Sequence, residues 1–501
     1  MASRPLSLAG RSAFGGALAG GRKGALGIVA AALAAAVVLS AVLVYDVKAG
    51  AALIVGVCFV PVALLRLQLA VCVWAVLLFF SRVPGFVSIP DHLLLLIVAC
   101  WIGLLVGRRT EAREALTRHQ PVIVAAVVFF VWVTLTLAWA PVAHASSRAI
   151  KDLFYAELGF VLLLGTVIER RHVRWLLIAF VTGAALSILY GAAKGGLSGA
   201  IGGPNQVTDQ DGRLQAGSGD PNYLGAVLVP ALMLAGGLAM RRPPLQRLAL
   251  AVAAGIIAIG LAATQSRGGL LAALATGLVA LLIWRGRRAV IATLMVFAAG
   301  VATAFFLASP SAWHRIGSGN TSGSGRTDIW QVALRVADAH PYFGVGINQF
   351  PQVSPLYVSR PGALSNVGLL IDKHILVHNL YLELWAETGV VGLALFVVVV
   401  AMVLSACWRA AERFDALGDL EMATLARVTL LGTVGMLVAA FFLSNVSSHQ
   451  IWVLFALGPI LWSLARRESE AVQELDRAVL EPLEPLEQPS RRRRRGIQPA
   501  A

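Results

Sequence analysis

Uninterrupted apolar runs of about 20 residues, repeated along the chain, constrain its fold more than any other feature. Residues 25–44 (ALGIVAAALAAAVVLSAVLV) and 121–140 (PVIVAAVVFFVWVTLTLAWA) carry no charge at all. At about 1.5 Å rise per residue, a helix of that length crosses the ~30 Å hydrocarbon layer of a bilayer. Backbone groups in that layer must be paired within the protein, which leaves helices or a closed barrel. The runs are too long and too evenly apolar for barrel strands. About 14 such segments are expected, at roughly 25–44, 49–65, 67–80, 91–107, 121–140, 152–168, 175–193, 222–240, 248–263, 269–284, 289–308, 380–405, 422–443 and 451–465. Only 13% of the residues are charged, where a soluble domain carries about 25%.

The fold class this predicts is all-α: a polytopic transmembrane bundle of about 12–14 helices with one large, partly helical external loop. The first run exceeds the 7–15 residues of a signal-peptide core, so it reads as a first transmembrane helix. The net charge of +15 does not imply nucleic-acid binding, because in a membrane protein the side on which basic residues fall matters more than their sum. With the N-terminus inside, well over half of the 41 lysines and arginines fall on the inner side. Both termini are therefore expected in the cytoplasm. Cys58, Cys72, Cys100 and Cys407 all fall inside or at the inner ends of apolar segments, so neither a structural disulfide nor a metal-ligand pair is expected.

Five regions follow: a cytoplasmic segment 1–24, transmembrane helices over 25–308, an external loop subdomain 309–379, further helices over 380–465, and a basic tail 466–501. Within the loop, Trp330, Ala333, Leu334 and Ala337 recur at helical spacing. Pro341 ends that helix, and Gly344 and Gly346 mark a turn. The stretch 318–325 (SGNTSGSG) reads as flexible. The tail ends in five arginines, 491–495. It is expected to be disordered and either contacts anionic lipid or simply solubilises.

Ionisable residues at membrane level are costly and therefore functional candidates. Three clusters fall on the outer side. In the first, Asp220-Pro221-Asn222 reads as a helix start. Arg213, seven residues earlier, is not explained by that and suits a phosphate beside helix-end N–H groups. In the second, Arg267 follows Ser266 in a short turn. It either snorkels to the interface or joins Arg213, with Gly268 and Gly269 permitting close approach. In the third, His378-Asn379 opens a helix that carries Gly389 and Gly392. His378 is either an interfacial cap or a neutral imidazole able to act as a general base. Glu383 and Glu387, at i and i+4 below it, would orient it or meet arginines. Asp209 and Asp211 form a DxD that is more simply a turn. No nucleotide-binding fingerprint or nucleophile elbow is present, so ATP or NAD chemistry is not expected.

Taken in order, Arg213-x3-Gly217…Asp220-Pro-Asn222, Ser266-Arg267-Gly-Gly, Gly325-Arg326-Thr-Asp-Ile-Trp330…His340-Pro-Tyr-Phe-Gly344-Val-Gly346 and His378-Asn379-x9-Gly389-x-x-Gly392 resemble the bacterial O-antigen ligase/polymerase superfamily of membrane glycosyltransferases. The resemblance covers roughly 200–400. It implies an undecaprenyl-diphosphate-linked glycan as donor, with no nucleotide sugar and no metal or other cofactor, and a lipid A-core sugar or growing polysaccharide as acceptor, in the inner membrane with the site facing the periplasm. It also implies His378 as base, Arg213 and Arg267 at the diphosphate, and Arg326, Asn379, Asp220, Asn222, Glu383 and Glu387 in support. A ligase is the leading expectation and a polymerase its nearest rival. A lipid-linked glycan transporter or flippase is the alternative from another class, although no paired halves of the kind transporters show are visible.

Overall fold

The computed structural model describes residues 59–83, 86–107, 114, 116–195, 212–308, 325–359, 364, 375–444 and 446–480. The expected span 25–44, most of 49–65, Cys58, the Asp209/Asp211 motif, most of the 318–325 stretch and the tail from 481 onward lie outside the described residues.

All the regular elements described are helices. Before the loop they are α1 (Leu67–Leu77), prolonged by a tighter turn to Phe80, α2 (Ile89–Gly107), α3 (Gln120–Leu135), α4 (Ala143–Thr166), α5 (Arg170–Ala193), α6 (Pro221–Ala239), α7 (Pro244–Ala263), α8 (Arg267–Ile283) and α9 (Arg288–Ala308). The loop contributes α10 (Arg326–Ala339) and α11 (Phe350–Val358), and α12 (Leu380–Ala416), α13 (Leu420–Ala439) and α14 (His449–Leu480) complete the chain. Among the described residues, seven helical segments are long and apolar enough to cross a membrane, and three apolar helices are shorter. The chain is thus an all-α polytopic protein.

Helix α6 lies at the centre, packed on α5, α7, α8 and α13. Small residues make this possible. Gly237 lies against Val428, and Gly432 sits over Pro230. Helices buried in lipid gain little from hydrophobicity and associate through such close packing.

The helix expected around Trp330 forms, but its buried face is Ile329, Val332, Ala333, Val336 and Ala337. Leu334 is exposed, and Trp330 turns its indole N–H to the carbonyl of Val377. The periodicity is right and the stripe is rotated by one residue. This face joins Phe350, Val353, Tyr357, Val377 and Ala386 in a small separate core. A second departure lies at the tail, where α14 runs on through Leu480 rather than ending near 465. Its extension is tied down by Glu468 on Arg170, by Arg466 on Glu470 and by Arg467 on the Ile168 carbonyl.

The helix after His378 is broken at Gly389, whose φ of 71° and ψ of −179° are non-helical. The carbonyls released by the break find partners in the loop and in α3. Val345 N–H donates to Ala386 (3.1 Å) and Gly346 N–H to Glu387 (2.8 Å). The Trp132 indole donates to Thr388 (2.9 Å). Val390 N–H donates in turn to the Pro341 carbonyl (2.8 Å). A Cβ at position 389 would overlap the Tyr342 carbonyl, so both the positive φ and the close approach require glycine.

Gly389→Ala is expected to destabilise the protein by at least ~1–3 kcal/mol, from backbone strain alone, read as a lower melting temperature in detergent. Gly236→Ala, inside α6 with open space at its Cβ, is expected to be neutral or to stabilise by up to ~1 kcal/mol.

Candidate active site at one end of the bundle

The links assigned to the outer side by charge meet at one end of the bundle. Arg82 N–H donates to the Gly217 carbonyl (3.1 Å), and Leu214 N–H to that of Ala263 (3.0 Å). Ser146 Oγ donates to the Ile347 carbonyl (2.6 Å), and Gln450 Nε2 to that of Leu78 (2.9 Å). Ion pairs gather at the other end, where Arg170 meets Asp419 at 2.7 Å and Arg174 and Arg242 share Glu421.

His378 sits one residue before the cap of α12. Asn379 Oδ1 accepts from the N–H groups of Tyr381 (3.1 Å) and Leu382 (3.2 Å), satisfying the first turn. His378, the residue before that cap, takes the unusual φ of +53°. Its N–H donates to Ser444 Oγ (3.0 Å), and the same Ser444 side chain lies near the Glu383 carboxylate. Strained non-glycine backbone of this kind is held only by surrounding structure, and it clusters at functional sites.

The His378 imidazole is pushed below the usual histidine range. Burial is the main cause, the nearby Arg326 guanidinium adds to it, and Asp220 opposes. A neutral ring was expected from the helix start. Burial and Arg326 are what produce it. Arg326 opens α10 directly after Gly325, which takes φ of +78°. Asp220 caps α6 through Tyr223 N–H (2.7 Å).

The carboxylates below His378 divide. Glu383 reaches Ser444 and so approaches the histidine backbone. Glu387 turns away and accepts from the N–H groups of Asn348 (2.6 Å) and Phe350 (3.0 Å). It therefore pins the start of α11 and serves the loop rather than the imidazole.

Arg213 is 6% exposed. Its Nε donates to the Thr264 carbonyl (3.1 Å) and its Nη2 to Asn222 Oδ1 (2.6 Å). It thereby ties the turn before Arg267 to the start of α6. Arg267, the first residue of α8, is exposed. Ser266 Oγ caps α8 by accepting from Gly269 N–H (3.1 Å). The adjoining glycines make room for protein, with Gly269 against the Gly225 backbone and Gly268 against Phe442.

A cavity of about 590 Å³ opens beside His378. His378 and Asp220 line it, and so do Arg82, Asp91, Lys151, Asp152 and His449, which the motif reading had passed over. These five come from three chain stretches distant in sequence, 82–91, 151–152 and 449, so no local pattern links them. Each does stand at the outer end of an apolar run, and that was the available signal. His449 Nε2 lies 3.3 Å from Asp91 Oδ1. Tyr223, Ser448 and Gln450 form a hydrogen-bonded trio along the same wall. Among the described residues no three of His, Cys, Asp and Glu converge as metal ligands.

Helical spans with a polar, histidine-bearing cavity at one end define an integral membrane protein equipped for chemistry at the bilayer surface. The O-antigen ligase family matches residues 251–397, from within α7 to the part of α12 beyond its break. That segment is similar to the O-antigen ligase superfamily, whose members are glycosyltransferase-like enzymes acting on lipid-linked glycans and polysaccharides, and the match supports membership of the superfamily. No curated protein matches the chain. His378, Arg267 and Arg326 fall inside the matched segment, whereas Arg213, Asp220 and Asn222 fall before it.

Arg213→Lys is expected to cost about 1–3 kcal/mol of stability, because one ammonium cannot reproduce the fork that meets both Thr264 and Asn222 and a buried acceptor is left unpaired. Thermal unfolding of the purified variant measures this.

Proposed function

We propose that the protein is an O-antigen ligase-like glycosyltransferase that moves a glycan from undecaprenyl diphosphate to a hydroxyl of lipid A-core at the periplasmic face of the inner membrane. The observation that carries this reading is His378, strained and half-buried where it lines the cavity, with its titration pushed below the usual histidine range. In the proposed step the acceptor hydroxyl passes its proton to the His378 imidazole. Its oxygen bonds to the donor's anomeric carbon as the bond from that carbon to the phosphate oxygen breaks. The electron pair leaves on the diphosphate. Attack opposite the leaving group makes the transfer inverting. Retention of configuration in the product would overturn that course.

The leaving group is already anionic and needs charge stabilisation more than a proton. Arg267 and Arg326 suit it, since guanidinium groups meet phosphate oxygens in pairs. Arg213, with two donors on the protein, serves as a positioning residue that braces the Arg267 turn against α6. No metal is needed for this scheme.

His378→Ala is expected to lower transfer by at least about 10²-fold, the usual contribution of a general base, with normal membrane insertion. Complementation at wild-type level would remove the assignment. Because the imidazole titrates below the usual histidine range, transfer should hold at neutral pH and fail only as pH drops below about 6.5. Arg326→Gln removes a charge that depresses this titration, so the acid limb should move to higher pH. A limb that stays in place would separate Arg326 from the base. In a deletion strain, accumulation of finished lipid-linked polymer supports a ligase, and accumulation of single repeat units supports a polymerase.

A further inference from the structure

The charges around the cavity are unlike those a diphosphate needs. Two cations, Arg82 and Lys151, face three carboxylates, Asp91, Asp152 and Asp220. Arg213 and Arg267 do not line it. A pocket with a carboxylate excess disfavours a multiply charged anion. It suits a neutral molecule dense in hydroxyls, because carboxylates accept from hydroxyl groups and guanidinium and ammonium groups donate to their oxygens.

The side chains of the far wall act on one another. Asp152 is within electrostatic reach of Lys151, Asp91, Arg82 and His449. Asp91, Lys151, Asp152 and His449 stand on α2, α4 and α14, and Arg82 stands in the turn after α1, so the bundle itself brings them together. The Asp91 carboxylate lies against the His449 imidazole. His449 also packs edge-on to Trp74, with ring centroids 6.3 Å apart. Asp152 remains half-exposed toward the cavity.

We propose that this wall, Asp91, Asp152 and His449 with Arg82, is a subsite for an uncharged sugar ring of the acceptor, separate from the arginines that meet the donor diphosphate. The proposal rests on the glycosyl-transfer reading above. It brings the acceptor to His378 from the carboxylate side of the site. Asp152 and the Asp91–His449 pair bind ring hydroxyls and orient the one to be deprotonated. They are specificity-determining residues, and His378 remains the base.

Two measurements on the full chain in lipid nanodiscs test this. In the first, acceptor and donor KM values are compared for wild type, Asp152→Ala and His449→Gln. Asp152 is half-exposed on α4, so its truncation leaves the packing intact. Loss of one hydrogen-bonding group should raise the acceptor KM about tenfold or more, with the donor KM changed less than about twofold. An unchanged acceptor KM, or an equal rise in both, overturns the proposal.

The second measurement needs no transfer, so it distinguishes failure of the subsite from failure of the glycosyltransferase reading. Saturation-transfer NMR is recorded with an uncharged hexose trisaccharide and with its phosphorylated counterpart. The uncharged probe should give a signal that Asp152→Ala weakens. No signal, a signal unaffected by that variant, or a preference for the phosphorylated probe overturns the subsite, whatever the transfer assay gives.

Discussion

Breaking a helix inside a bundle frees carbonyls and N–H groups that the surroundings must satisfy, and the break at Gly389 in α12 organises the end of this molecule that carries the cavity. The loop Pro341–Gly346 donates to two of the freed carbonyls, and Trp132 of α3 donates to a third. Glu387, just before the break, anchors the start of α11. The first turns of α12 are thereby detached from the straight course of the helix and built into the loop subdomain, whose small core includes Ala386. Asn379 caps those turns, and His378 is held just ahead of them in its strained conformation. Interior glycines normally weaken helices. Here the glycine permits the one conformation in which loop, helix and histidine fit together.

Electrostatics then divides the site. Arg326 acts on His378, and Arg213 is braced by Asn222 and Thr264 outside the cavity lining. Carboxylates outnumber cations along the cavity itself. A two-substrate reaction with one polyanionic and one hydroxyl-rich partner benefits from such a partition, since each partner is disfavoured where the other belongs. In the proposed reaction a neutral His378 serves both partners, because a protonated imidazole would neither accept a proton nor sit easily beside Arg326.

Much of this was legible in the sequence, because lipid imposes simple rules. Apolar length marked the helices, and proline with a capping residue marked where α6 begins. The charged ends were legible too, although the ion pairs that extend α14 were not, because Arg170 and Glu468 are far apart in sequence. The α10 periodicity was plain, but Trp330 and Leu334 are both apolar, and only packing decides which faces inward. Glu383 and Glu387 looked equivalent at i and i+4. The break two residues later separated their fates, and Gly389 could equally have marked helix packing. The Asp91, Asp152 and His449 wall was out of reach because its members come from three separate segments and share no local pattern.

The shared core of loop and α12 also bears on how the protein is made. Residues 326–358 leave the ribosome before Ala386, Glu387 and Gly389, which complete their core and satisfy their backbone. The loop cannot reach its final packing until the first turns of α12 have emerged beside it. Membrane insertion of α12 and folding of the loop are thus one event in time, and a cut between them would remove the template against which the loop acquires its shape.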